Sequence, residues 1–182
     1  SVDGKGDDIS SFDTQISGHI KSFNIRDRQY DNIILNGRLQ PNYFKGDAFV
    51  SDEDLEIEFS GEVDFSNKKP IMDFVANLIE VDLVKLNLYN HSPFAKLSSL
   101  IEINLQGNTW NNIEGDIGAY FTSFETLDNK YYYDDILLSA EKFEEKDVFR
   151  FQSDFLIADI EGQIDVQNVF SSFLSYLAPH FP

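Results

Sequence analysis

The side chains able to do chemistry are few and poorly grouped. His19, His91 and His180 are the only imidazoles. The first lies on the polar side of an alternating segment, the second in a turn and the third beside the terminus. None has a patterned serine or acid pair near it, so no nucleophile and base are suggested. There is no cysteine, which removes thiolate metal sites and disulfides together. Carboxylates are plentiful, and paired carboxylates invite a glycosidase reading. Nearly all of them alternate with apolar residues, however, and are expected in solvent. Asp52-Glu53-Asp54 lacks the glycine and the later glutamate of a calcium loop and reads as a turn. Tyr131-Tyr132-Tyr133 and Trp110 suit either a carbohydrate platform or packing between strands, the more usual use of such residues. No catalytic residue, metal ligand or cofactor is assigned, and the chain reads as non-enzymatic.

What must position these residues is a set of strands. Leu55, Ile57, Phe59, Gly61, Val63 and Phe65 alternate with Glu56, Glu58, Ser60, Glu62 and Asp64. Strict alternation means a strand with one face covered and one in water. On a helical period the same apolar residues would point all round, so a helix is excluded. The pattern recurs through Phe12–Ile20, Ile33–Leu39 and Phe44–Val50. It returns at Ile101, Ile103 and Leu105, at Ile113, Gly115, Ile117, Ala119 and Phe121, and at Ile160–Ile164. Tyr131–Phe143 and Val148–Phe155 alternate less cleanly. Turn clusters separate the segments at Gln40-Pro41-Asn42, Ser51–Asp54, Ser66–Lys69, Leu127–Lys130 and Glu144–Asp147. Short turns between alternating strands predict sequential hairpins and an antiparallel meander. Two stretches break the pattern. Residues 81–99 suit a short helix before Pro93, and 166–177 carries Val169, Phe170, Phe173, Leu174 and Leu177 at amphipathic helical spacing.

Glycine adds a finer constraint. Gly18, Gly37, Gly46, Gly61, Gly115 and Gly162 each sit between apolar residues two before and two after, with Gly107 a weaker seventh. Glycine on the covered face of a strand is normally unfavourable. The pattern predicts a sheet that curves sharply, or a surface that leaves room for something.

Composition bounds the partners. Lys plus Arg is 14 against 32 Asp plus Glu, a formal net charge of −18. That balance repels phosphate backbones and anionic membrane surfaces, so nucleic acid is not expected. A hydrophobic content of 42% with 17 Phe and 8 Tyr is too apolar for a disordered chain. No run approaches the ~20 apolar residues of a membrane span. The sequence reads as one unit, 1–182, belonging to a longer exported protein.

The run from Ile16 to Leu88 resembles the TamB (AsmA-like) family of cell-envelope proteins, most closely the versions found in Bacteroidetes. The resemblance rests on Tyr30, Ile33, Leu35, Gly37 and Leu39, then Phe44 and Gly46, then Asp54 to Phe65, then Glu80 to Leu88. Residues 153–177 are also similar. It implies that the meander is curved into an open, taco-like sheet or half-barrel with an apolar interior, to which the segments above add one or two short helices. It further implies a periplasmic part of an inner-membrane-anchored protein that moves phospholipid to the outer membrane or supports assembly of outer-membrane proteins. A BamA/TamA-type outer-membrane β-barrel would be met through other parts of the full protein. Acyl chains would run along Leu55, Ile57, Phe59, Val63, Phe65, Ile101, Ile103, Leu105, Ile113, Ile117 and Phe121.

The residues alone leave alternatives open. An apolar sheet face needs a second layer. That layer can be the sheet's own other half, the amphipathic segment 166–177, or lipid. A glycan-binding or adhesive β-sandwich module is the competing class.

Overall fold

Long alternating segments joined by a few polar residues bring each strand against its neighbour in the chain. The computed structural model describes residues 2–5, 12–25, 28–109, 112–144 and 146–162. They form β1 (Val2–Lys5), β2 (Asp13–Ile25), β3 (Arg28–Gln40), β4 (Tyr43–Asp52), β5 (Leu55–Asp64) and β6 (Ile71–Asp82). The sheet continues through β7 (Ala95–Gln106), β8 (Glu114–Thr126), β9 (Lys130–Lys142), β10 (Asp147–Ser153) and β11 (Ile157–Gly162). All eleven pair antiparallel in strict chain order, and β1 does not meet β11. The chain is therefore mostly β, an open meander as its alternation predicts. The noisier segments 131–143 and 148–155 supply β9 and β10.

The turns fall where the polar clusters stand. Asp52 pairs with Leu55 across a two-residue turn at Glu53-Asp54, so this acidic triplet is a hairpin tip. Pro41-Asn42 makes another, with Asn42 at φ 62°, a region asparagine tolerates. The connection after β6 corrects the expectation of a helix in 81–99. The Asp82 carboxylate accepts hydrogen bonds from the amides of Val84 and Lys85, and Leu86 N–H donates to the Asp82 carbonyl at 3.1 Å. That is a capped single turn. Asn87 then takes φ 58° and the chain bends towards β7, whose strand begins at Ala95. Too few residues remain between the two strands to repay helix nucleation. Among the described residues there is no helix, and segment 166–177 lies outside them.

Arg28 ties this connection to the β4–β5 hairpin. Its guanidinium donates to Asp54 at 2.9 Å, Asp52 at 3.3 Å and the Lys85 carbonyl at 2.9 Å, and lies over the Tyr30 ring. Each strand among the described residues packs against no strand but its sequence neighbours. Among the described residues no large side chain is fully buried, and the buried apolar set is mostly small: Ala76, Val81, Ala95, Leu105, Ala140 and Val148. A single sheet layer has that consequence, because each side chain is covered only by those beside it.

Candidate functional site

Residues directly opposite each other across a ladder share a face, as do residues two apart on one strand. Followed through the register, one row crosses almost the whole sheet: Ile16, Gly37, Gly46, Gly61 and Phe74. From Phe74 it continues through Ile103, Ile117, Leu138 and Phe151 to Ala158. The parallel rows are equally apolar, one of them running Leu39, Phe44, Val63, Met72 and Leu105. Ile57 and Ile103 thus lie on one common face, both half-buried.

The glycines in this row are placed by a steric need. Gly37, Gly46 and Gly61 face one another across β3, β4 and β5. A Cβ on Gly61 would overlap the Asp73 carbonyl oxygen and Phe74 Cα, and Gly61 itself takes φ 151°. Aromatic rings lean over the gap. Phe44 and Phe59 belong to rows on either side of the Gly46–Gly61 pair, yet their ring centroids are 5.9 Å apart. Phe74, opposite Gly61, stands 4.9 Å from Phe59. Rings covering strand glycines restore the contact that a missing side chain forfeits.

Of the residues expected on the apolar face, Leu55, Ile57, Phe59, Val63, Ile101, Ile103, Leu105 and Ile117 share it. Phe65 lies one residue beyond β5, 52% exposed, with its amide bonded to the Asn42 carbonyl. Ile113 precedes β8 by one residue and Gly107 follows β7 by one, so neither is mid-strand. Phe121 is a correction. Two residues, Phe121 and Thr122, oppose the single Ser99 where the β7–β8 register slips. Phe121 takes φ 51° and is 77% exposed, while Thr122 turns to Ser99 with a 2.8 Å hydroxyl contact. The alternation through Ile117 and Ala119 therefore resumes on Thr122 and Phe124.

The slips have a sequence cause. Leu78 and Val81 are three apart, so strict alternation would put them on opposite faces. A bulge between them returns both to the apolar face and leaves Ile79 exposed. Matching slips in the β5–β6 and β7–β8 ladders keep neighbouring strands in phase. Beyond them the face becomes aromatic: Phe124 stacks on Tyr131 at 6.2 Å and meets Tyr89 at 5.5 Å. Tyr133 packs on Phe155 at 5.6 Å. Tyr132 is left 67% exposed, beside Lys130. Strand alternation thus separates the three tyrosines, and they form no single exposed platform. Trp110 and His180 lie outside the described residues.

Sequence reading missed Met72, Phe74, Leu138 and Phe151 as members of the apolar face. The signal at Met72-x-Phe74-x-Ala76-x-Leu78 was clean; in Ile136-Leu137-Leu138 it was masked because Leu137, on the other face, is apolar too.

The reverse face carries most of the charge. Lys45 pairs with Glu62 at 2.9 Å and Arg38 with Asp13 at 2.6 Å, a contact that holds the Asp13 carboxyl down at about 2. Among the described residues no group of three or more His, Cys, Asp or Glu is arranged to hold a metal ion. Nor is any helix among them long and apolar enough to cross a membrane. Comparison with protein-family models, with curated proteins and with solved structures returned no match to this chain.

The position of Phe121 has a measurable consequence. Its left-handed backbone costs a bulky residue about 1–2 kcal/mol and its exposed ring returns little burial. Phe121→Gly is expected to raise stability by about 1 kcal/mol in urea unfolding, after the entropy glycine adds to the unfolded chain. A loss of stability would mean that the ring is covered.

Proposed function

We propose that this chain is a non-catalytic segment of a TamB-like periplasmic protein whose apolar sheet face carries phospholipid acyl chains between the inner and outer membranes. The observation that carries the reading is the continuity of that face. Apolar or glycine positions stand in register from β2 to β11, and no described strand packs over them. An ordinary domain of this size closes such a face with a second layer. Here the half-buried row suits hydrocarbon, which makes no directional demand and slides along a surface without hydrogen bonds. The family resemblance supports the same reading and adds the cell-envelope setting. It also adds the outer-membrane β-barrel partner, met through other parts of the full protein.

Purified protein is extracted with organic solvent and the extract examined by lipid mass spectrometry. Phospholipid is expected at near-stoichiometric amounts. Recovery no greater than from an acidic β protein of similar size prepared identically would rule the reading out.

A further inference from the structure

The face opposite the apolar row is not uniformly polar. Ile34, Phe49, Leu100 and Tyr120 stand in one register row, on β3, β4, β7 and β8, with Glu58 and Asn77 between. Val75 and Leu137 occupy the next row with Glu102. Ile34 is 49% and Val75 40% exposed, where alternation would be expected to place polar side chains. Two cavities open on this face. One, of about 490 Å³, is bounded by Ile34, Phe49, Val75 and Leu100, with Asp47 and Glu58 at its margin. The other, of about 610 Å³, shares Val75 and adds Tyr120 and Leu137, with Asp73, Glu102 and Asp116 around it.

These five carboxylates differ from the acids that are tied to cations elsewhere on the sheet. Glu62, Glu80, Glu114, Glu125, Glu141 and Glu161 each hold a lysine or arginine. Among the described residues none of the five is in a direct ion pair, and Asp73 shares the field of Lys45, whose ammonium is held by Glu62. Asp47 and Glu58 accept only from neutral donors, Ser60 Oγ at 2.7 Å and Asn77 Nδ2 at 3.0 Å. Arg150 reaches the second cavity but is held by Glu141.

We propose that this face docks a basic, amphipathic segment of a partner protein. Its apolar side chains would rest on Ile34, Phe49, Val75 and Leu100, and its lysines or arginines would face Asp73, Glu102 and Asp116. Charge complementarity selects the occupant: an anionic membrane or nucleic acid is repelled, and an apolar segment without cations leaves the carboxylates unpaired at the rim. From β3 to β9 the site crosses six strand spacings, about 29 Å, the length of a helix of about 20 residues. The surface is separate from the acyl-chain face and does not depend on it.

The probe is a fluorescein-labelled leucine–lysine amphipathic peptide of about 18 residues, titrated with the purified chain and followed by anisotropy. The double variant Glu102→Lys/Asp116→Lys is expected to weaken binding by about tenfold. Val75→Ser/Leu100→Ser should do the same, with amide spectra showing that it remains folded. Asp128→Lys/Glu144→Lys, which makes the same change in net charge on distant turns, should stay within about twofold of the parent. Equal weakening by that control pair would reduce the effect to bulk charge and overturn the proposal. So would a serine–lysine peptide binding as tightly as the leucine–lysine one. The charge pair at Glu102 and Asp116 is exposed and does not threaten folding, so its remaining within about twofold of the parent is equally decisive.

Discussion

Gly61→Ala is expected to cost about 2–5 kcal/mol, although it adds a single methyl group. Two terms combine. Gly61 holds φ 151°, a conformation that costs a residue with a Cβ about 1–3 kcal/mol. The methyl would also overlap the Asp73 carbonyl oxygen and Phe74 Cα, backbone atoms that cannot turn aside as a side chain can. Overpacking of that kind costs a further ~1–3 kcal/mol. Gly18→Ala provides the internal control. Gly18 belongs to the same apolar face, opposite Leu35, but a Cβ there meets nothing within 4 Å. Removing backbone freedom from the unfolded chain is then the main effect, a gain of about 0.4–1 kcal/mol. Urea unfolding of the two variants separates them by at least ~2 kcal/mol. Equal stabilities would mean that β5 and β6 are not held as closely as the structure places them.

The second large effect is on the apolar face itself. Ile103→Asp puts a carboxylate between Phe74 and Ile117, its register partners, where it finds no cation. A charge in an apolar setting is costly, and at this half-buried position a loss of about 2–3 kcal/mol is expected. If hydrocarbon runs along the row, phospholipid recovered from the folded variant falls by about tenfold as well. Glu102→Lys, one residue away and on the opposite face, changes stability by no more than about 0.5 kcal/mol and leaves lipid recovery intact. The same substitution belongs to the pair expected to weaken capture of the leucine–lysine peptide. The two faces are therefore separable by neighbouring residues of one strand. Lipid recovery that survives Ile103→Asp in a folded protein, or that fails with Glu102→Lys, would mean that this face carries no acyl chains.

Much of this architecture was legible in the chain. Leu55 to Asp64 could be only a strand, because no other period places its apolar residues together. The hairpin order followed from turn clusters too short to let a strand reach anything but its neighbour. Phe121 was misplaced for a definite reason. Alternation is read as if each strand ran straight, and nothing in Ile117-Gly118-Ala119-Tyr120-Phe121 announces that Ser99 on the neighbouring strand will face two residues. The helix expected in 81–99 failed similarly. Its apolar spacing suits a helix, but Asp82 caps the first turn while β7 claims the chain from Ala95 onward.

By itself, then, the sequence determined strand character, chain order and the existence of one apolar face, since each depends on residues close together along the chain. Only the tertiary structure decided which residues meet across ladders. It showed that Gly37, Gly46 and Gly61 form one line roofed by Phe44, Phe59 and Phe74. It also showed that bulges return Leu78 and Val81 to the same side, and that Val75 and Leu100 stand among carboxylates on the other. Those facts depend on register. Each ladder is set by how the long face of one strand fits the next, and a slip of a single residue in one strand moves every later side chain to the opposite face.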